Sequence, residues 1–212
     1  MRIKEVMKTN LIAIYPGRFQ PPHRGHFAVY KFLANKFGKH NTYIATSNKT
    51  DIDDFGQVFK SGPQKGQYKQ VKSPFTFDEK KEIWTNMFGV NSSRIIECEN
   101  PAFNPTEILN NQPLYTSYVV AVGKKDLERY TKNTWYEELP EDFSELKPFT
   151  RGGYYINMNT MEGGLNASKV RYSLSTKQPL ERIELFKMLY NKFNADIYTM
   201  ITKKLVGKYE WQ

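Results

Sequence analysis

The 212-residue sequence predicts an α/β fold, a Rossmann-like open parallel five-stranded sheet with helices on both faces and a C-terminal helical cover. Three observations carry this prediction. Short apolar runs alternate with amphipathic segments over most of the chain. The runs are apolar without alternation, as strands covered on both faces are. From residue 179 onward only helix-type patterning remains, which places a helical layer at one end of the sheet.

Leu11 to Tyr15 (LIAIY) is the first such run, closed by Pro16 and Gly17. From His26 to Phe37, Phe27, Tyr30, Leu33, Ala34 and Phe37 recur at helical spacing, and Gly38 follows as a stop. Thr42 to Thr46 is the second strand. Residues 51–72 break the rhythm: Gly56, Gly62, Pro63 and Gly66 punctuate them, and Lys60, Lys65, Lys69 and Lys72 face no acid from Gln57 onward. This is expected to be an inserted basic loop or flap. Thr76 with Glu79 three residues on forms a capping box for a helix whose stripe is Ile83, Trp84, Met87 and Phe88. Arg94 to Cys98 and Ser117 to Val122 are the third and fourth strands, with a short helix opening near Asn104-Pro105 between them. Glu137 to Glu145, with five acids and no base, reads as a solvated surface segment. Tyr154 to Met158 is the fifth strand, Asn166 caps a helix from Ala167, and helices over about 180–193 and 195–206 complete a single domain spanning 1–212.

Composition narrows the function. Hydrophobic residues at 39% and aromatic residues at 15% suffice for a core, against a disordered chain. Cys98 is the only cysteine, which excludes an internal disulfide and a multi-cysteine zinc site, and its surroundings suggest a structural thiol. No apolar run approaches the ~18 residues of a helical membrane span, and the first nine residues, MRIKEVMKT, lack the apolar stretch of a secretory signal. A cytoplasmic protein is expected. The net charge of +9 suggests an anionic partner. Basic residues scattered along the chain, with no recognised nucleic-acid module, argue against nucleic acid as that partner.

In an open parallel sheet, ligands bind beyond the carboxyl ends of the strands where the strand order reverses. The turn after the first strand is Gly17-Arg18-Phe19-Gln20-Pro21-Pro22-His23-Arg24-Gly25-His26. Gly17 lets the backbone approach a ligand, and Pro21-Pro22 stiffen the loop. His23 and His26, three apart at a helix start, share one face, and a helix N-terminus favours anions. Arg18 and Arg24 complete a concentrated phosphate site.

This stretch resembles the HxGH signature of the nucleotidyltransferase superfamily (cytidylyltransferase-like). In its fuller form, GRFQPPHRGH, it is similar to the archaeal and phage-type nicotinamide mononucleotide adenylyltransferases. Leu165-Asn166-Ala167-Ser168-Lys169-Val170-Arg171 resembles the superfamily's ISSTxxR segment, with Ser168 for threonine, Arg171 matched, and Leu165 and Asn166 departing. Ser73 to Lys80 (SPFTFDEK) is similar to NPFTxxER, with Lys80 for arginine, and Val122 to Asp126 (VGKKD) resembles a VGxDD-like segment. The resemblance spans most of residues 10–175.

The resemblance implies an enzyme that joins a nucleoside triphosphate to a phosphorylated small molecule and releases pyrophosphate. ATP with nicotinamide mononucleotide is the leading pair, and CTP with a small phosphorylated alcohol or sugar is the alternative. His23, His26 and Arg171 would be catalytic. Gly17, Arg18, Phe19, Arg24, Gly25, Asn166, Ser168 and Lys169 would bind the nucleotide. Phe75, Thr76, Lys80 and Lys124 are acceptor-binding candidates, joined by Lys49 after the second strand. Mg²⁺ would be held mainly by the phosphates, with no protein metal ligand. The resemblance also allows for a homo-oligomer, and for a host-cytoplasm location if the gene is a phage's. Trp84 is expected in the core, and Trp135 is a candidate for stacking on a base.

Overall fold

β1 (Leu11–Pro16) runs through the middle of the sheet and divides its side chains between two cores. The computed structural model describes residues 10–51, 54, 56–67, 69, 72–158 and 165–207. The N-terminal nine residues, parts of the 51–72 segment and the last five residues of the C-terminal cover lie outside them. Leu11 and Ala13 face one side, against Leu33 and Phe37 of α1 (Arg24–Phe37). Ile12 and Ile14 face the other, against Ile108 and Leu109 of α3 (Thr106–Leu109) and Tyr130 of α4 (Leu127–Thr131). Helix layers on both faces are what a strand without polar alternation requires.

β2 (Thr42–Thr46), β3 (Ile95–Glu97), β4 (Ser117–Gly123), β5 (Tyr136–Glu138) and β6 (Gly153–Met158) complete a sheet of order β3-β2-β1-β4-β6-β5, parallel throughout. The order reverses between β1 and β4, where Ala13 pairs with both Thr42 and Val119. The carboxyl ends of these two strands therefore open the crevice in which this architecture accommodates ligands.

Among the described residues the sheet has six strands where five were expected. The sixth is β5, at the edge, in the segment read as solvated surface. Three residues are too few to show a period. Tyr136 nevertheless packs edge-on to Tyr130 at 4.9 Å, while Glu137 and Glu138 stay exposed and charge the free edge, which discourages pairing with another chain. Leu139, Phe143 and Leu146 of the same stretch pack against the α1 side of the sheet.

α2 (Phe77–Phe88) begins at the expected capping box: Thr76 Oγ1 accepts from Glu79 N at 3.3 Å, and Thr76 N donates to Glu79 Oε2 at 2.8 Å. α5 (Ala167–Thr176), α6 (Pro179–Tyr190) and α7 (Ala195–Leu205) form the C-terminal cover, sharing a core with Phe75, Ile83 and Met87. Between β2 and α2 the basic segment folds back on itself. Phe59 N bonds Gln67 O at 3.0 Å, and Lys69 N bonds Gln57 O at 2.6 Å. Its base is pinched where the Asp51 carboxylate accepts from Lys72 N and Ser73 N at 2.8 and 2.7 Å. Among the described residues, no helix is long and apolar enough to cross a membrane.

Candidate active site

The turn after β1 is built by its own side chains. Phe19 takes φ 46°, an uncommon conformation for a residue with a side chain, and folds its ring back over Gly17. A Cβ at Gly17 would lie 2.5 Å from Phe19 Cζ, so glycine is needed there for the ring as well as for any ligand. The Phe19 ring, 3% exposed, meets Tyr15, His26 and Trp84 edge-on at 5.1, 5.1 and 5.2 Å.

Distant parts of the chain then fix the loop. The Gln20 side-chain amide exchanges two bonds with the Phe75 backbone, at 2.9 and 2.8 Å. Arg171 Nη1 donates to Gln20 O at 2.7 Å, and its Nη2 donates to Ser168 Oγ at 3.2 Å. Tyr190 Oη donates to Pro22 O at 2.9 Å, and Arg24 Nη1 to Met188 O at 3.2 Å. The two motif regions, about 150 residues apart in sequence, thus dock on one another through Arg171.

The two histidines cap α1 reciprocally. His23 Nδ1 accepts from Gly25 N at 3.1 Å, and His26 Nδ1 accepts from His23 N at 3.3 Å, an all-histidine capping box with the rings stacked at 3.7 Å. Because each Nδ1 accepts, each neutral ring carries its proton on Nε2. His23 is 3% exposed, and its Nε2 is buried without a hydrogen-bond partner among the described residues. Burial, then the neighbouring Arg24 charge, lowers the His23 pKa to about 4. Burial and then repulsion from His23 hold His26 well below its ordinary range. Both rings are therefore neutral N–H donors near neutral pH.

Beyond the ends of β1 and β4 lies a cleft of about 570 Å³. Gly17, Arg18, Phe19 and His26, all from the turn after β1 and the start of α1, line it. On the opposite wall, Asp126 ends the VGKKD segment already singled out, whereas sequence reasoning missed Phe103, Arg129, Tyr130 and Met158. Arg129 lies over the Phe103 ring at 4.6 Å and pairs with Asp126 at 3.5 Å, while Phe103 stacks on Tyr130 at 4.9 Å. The available signal was positional, since the loop following β4 must flank the same crevice as the loop following β1.

Several other candidates stand elsewhere. His23 lies behind the cleft wall, and Arg24 turns toward α6. Gly25 contributes its N–H to the cap, Asn166 caps α5 through Lys169 N at 2.8 Å, and Lys169 is exposed. Phe75 is fully buried in the core, Thr76 is spent in its capping box, and Lys80 is fully buried, bonded to Thr46 Oγ1 at 2.9 Å and to Ser47 O. Burial lowers the Lys80 pKa to about 8. Lys49 and Lys124 are exposed, and none of these five lines the cleft. Trp84 is buried as expected, whereas Trp135 borders a separate hollow and donates Nε1–H to Tyr118 Oη at 3.1 Å. Cys98 is buried, and burial with the Glu107 carboxylate pushes its thiol up to about 12, so it offers no thiolate. Among the described residues, no three His, Cys, Asp or Glu side chains converge where a metal ion could sit.

An all-parallel sheet, helices on both faces and a cleft at the point of strand reversal define a Rossmann-like α/β protein. No protein-family model and no curated protein sequence matches the chain. Among solved structures it is similar to the Plasmodium falciparum nicotinic acid mononucleotide adenylyltransferase complexed with NaAD, at 12% identity and TM-score 0.48, over 90% of this chain and 95% of that one. It is also similar to a Vibrio parahaemolyticus protein provisionally designated a nicotinate-nucleotide adenylyltransferase, at 11% identity and TM-score 0.49, over 91% and 99%.

Proposed function

We propose that the chain is a nucleotidyltransferase that joins a nucleoside triphosphate to a phosphorylated acceptor with release of pyrophosphate, ATP and nicotinamide mononucleotide being the favoured pair. The observation that carries this reading is the start of α1. There a neutral His26 on the cleft wall, the helix N-terminus and Arg18 gather donors and positive potential beside one cleft, and behind that wall the buried His23 Nε2–H has no hydrogen-bond partner among the described residues. The GRFQPPHRGH resemblance gives that anion-seeking site its reaction class.

The chemistry asks little of the protein beyond placement. An acceptor phosphate oxygen attacks the α-phosphorus in line, a new P–O bond forms, the α–β bridging bond breaks, and the electron pair leaves with pyrophosphate. His26 N–H and Arg18 would steady the charge that builds on the transferred and leaving oxygens. Arg171, which holds Gln20 and Ser168, would set the loop's position for that contact. Magnesium would arrive with the triphosphate and neutralise phosphate charge, its ligands being phosphate oxygens and water.

The test is pyrophosphate release from purified protein with Mg²⁺, each of ATP, CTP, GTP and UTP, and a panel of acceptors that includes nicotinamide and nicotinate mononucleotides. Release with ATP and a pyridine mononucleotide is expected, together with its loss in His26→Ala. No release with any pair at high enzyme overturns the proposal. Release with CTP and a phosphorylated alcohol alone keeps the class and replaces the substrates.

A further inference from the structure

α1 and α2 lie side by side, and their shared flank is aromatic. Phe27 and Phe88 stack at 4.8 Å with 15° between planes, and Tyr30 lies 6.2 Å from Phe27. Against these rings the structure holds a second hollow of about 390 Å³, at the end of the sheet where β2 and β3 begin. This volume is at the small end of the roughly 300–1,000 Å³ typical of small-molecule pockets.

The hollow's polar lining is basic. Lys31, Lys39, His40 and Arg94 border it with Asn35 and Asn91, and among the described residues no acidic side chain does. Cations near the ends of two helices complement the helix dipoles, which explains one or two of them. Arg94 is not explained in that way. Its guanidinium lies over the Tyr43 ring at 4.8 Å and donates through Nη1 to Tyr43 Oη, and its Nε is buried without a partner among the described residues. A basic lining around a hollow walled by stacked rings suits a ligand with an aromatic part and an anionic part.

We infer that the groove between α1 and α2 is a second binding site, separate from the cleft, for a small aromatic phosphate of the nucleoside monophosphate class. The base would lie along Phe27, Phe88 and Tyr30, and the phosphate would meet Lys31, Lys39 and Arg94. The site backs onto the cleft through a layer of rings. Trp84 lies 5.4 Å from Phe88 and 6.1 Å from Tyr30 on one side, and 5.2 Å from Phe19 of the cleft wall on the other. The inference does not rest on the proposed catalytic function.

Equilibrium dialysis at low ionic strength tests it, with radiolabelled AMP, adenosine and inorganic phosphate as probes. One equivalent of AMP is expected to weaken by about tenfold or more, the effect of losing a charged hydrogen bond, in each of Lys31→Glu, Lys39→Glu and Arg94→Ala. The two lysines are exposed, so their replacement tests the site even if Arg94→Ala disturbs the fold. Arg18→Ala, on the cleft, should leave this equivalent in place, so failure of the cleft reading and failure of this one are separable. Adenosine and phosphate should each bind more weakly than AMP. AMP binding unchanged in all three groove variants, or phosphate alone bound as tightly as AMP, would overturn the inference.

Discussion

His23 makes a quantitative prediction about acid stability. The folded ring resists protonation until about pH 4, because it is buried and lies near the Arg24 charge, whereas the unfolded ring takes a proton near 6.5. Between those values the unfolded chain holds the extra proton, so stability is fully present above about pH 6.5 and falls as pH drops toward 4. Below that window this ring causes no further loss. The separation is worth about 3 kcal/mol. His23→Asn supplies the comparison, since asparagine caps helices well and does not titrate. Urea unfolding of both proteins at several pH values from about 7.5 to 4.5 isolates the contribution as a difference. The wild-type advantage, whatever its size at neutral pH, should shrink by about 3 kcal/mol across the window. A difference that stays flat would refute the argument.

Further outcomes follow from the contacts around the loop. Gln20→Leu leaves Phe75 N and O unpaired in a buried setting and should cost about 2–4 kcal/mol, read by chemical denaturation. Arg171→Ala, losing bonds to Gln20 O and Ser168, should lower stability by about 2 kcal/mol and kcat/KM with it. Tyr190→Phe, by contrast, should cost only about 1 kcal/mol, because the Pro22 carbonyl loses a single neutral donor. Gly17→Ala sets a methyl 2.5 Å from the Phe19 ring and should destabilise by about 1–3 kcal/mol, with Trp84 fluorescence reporting the displaced ring.

Five of the six strands were legible because continuous apolar runs have few other uses, and the caps at Thr76 and Asn166 were legible because capping is local. β5 was hidden: its one inward residue, Tyr136, is surrounded by acids that belong to an exposed edge. At the site, the sequence indicated which turn faces the cleft but not which residues would support it. Gln20 reaches Phe75 across 55 positions, and Arg129 comes over Phe103 only after α4 forms; neither pairing leaves a local pattern. The same limit applies to Phe75 and Lys80, which a linear motif presents beside site residues and the fold buries.

The ties that Arg171, Met188 and Tyr190 make to the turn after β1 also set an order in time. As the chain leaves the ribosome, β1 and the histidines emerge first, yet three of the partners that hold their loop are made last. The turn should therefore stay unfinished until α6 has been synthesised and docked, so a chain arrested before residue 171 would carry both histidines and no settled site.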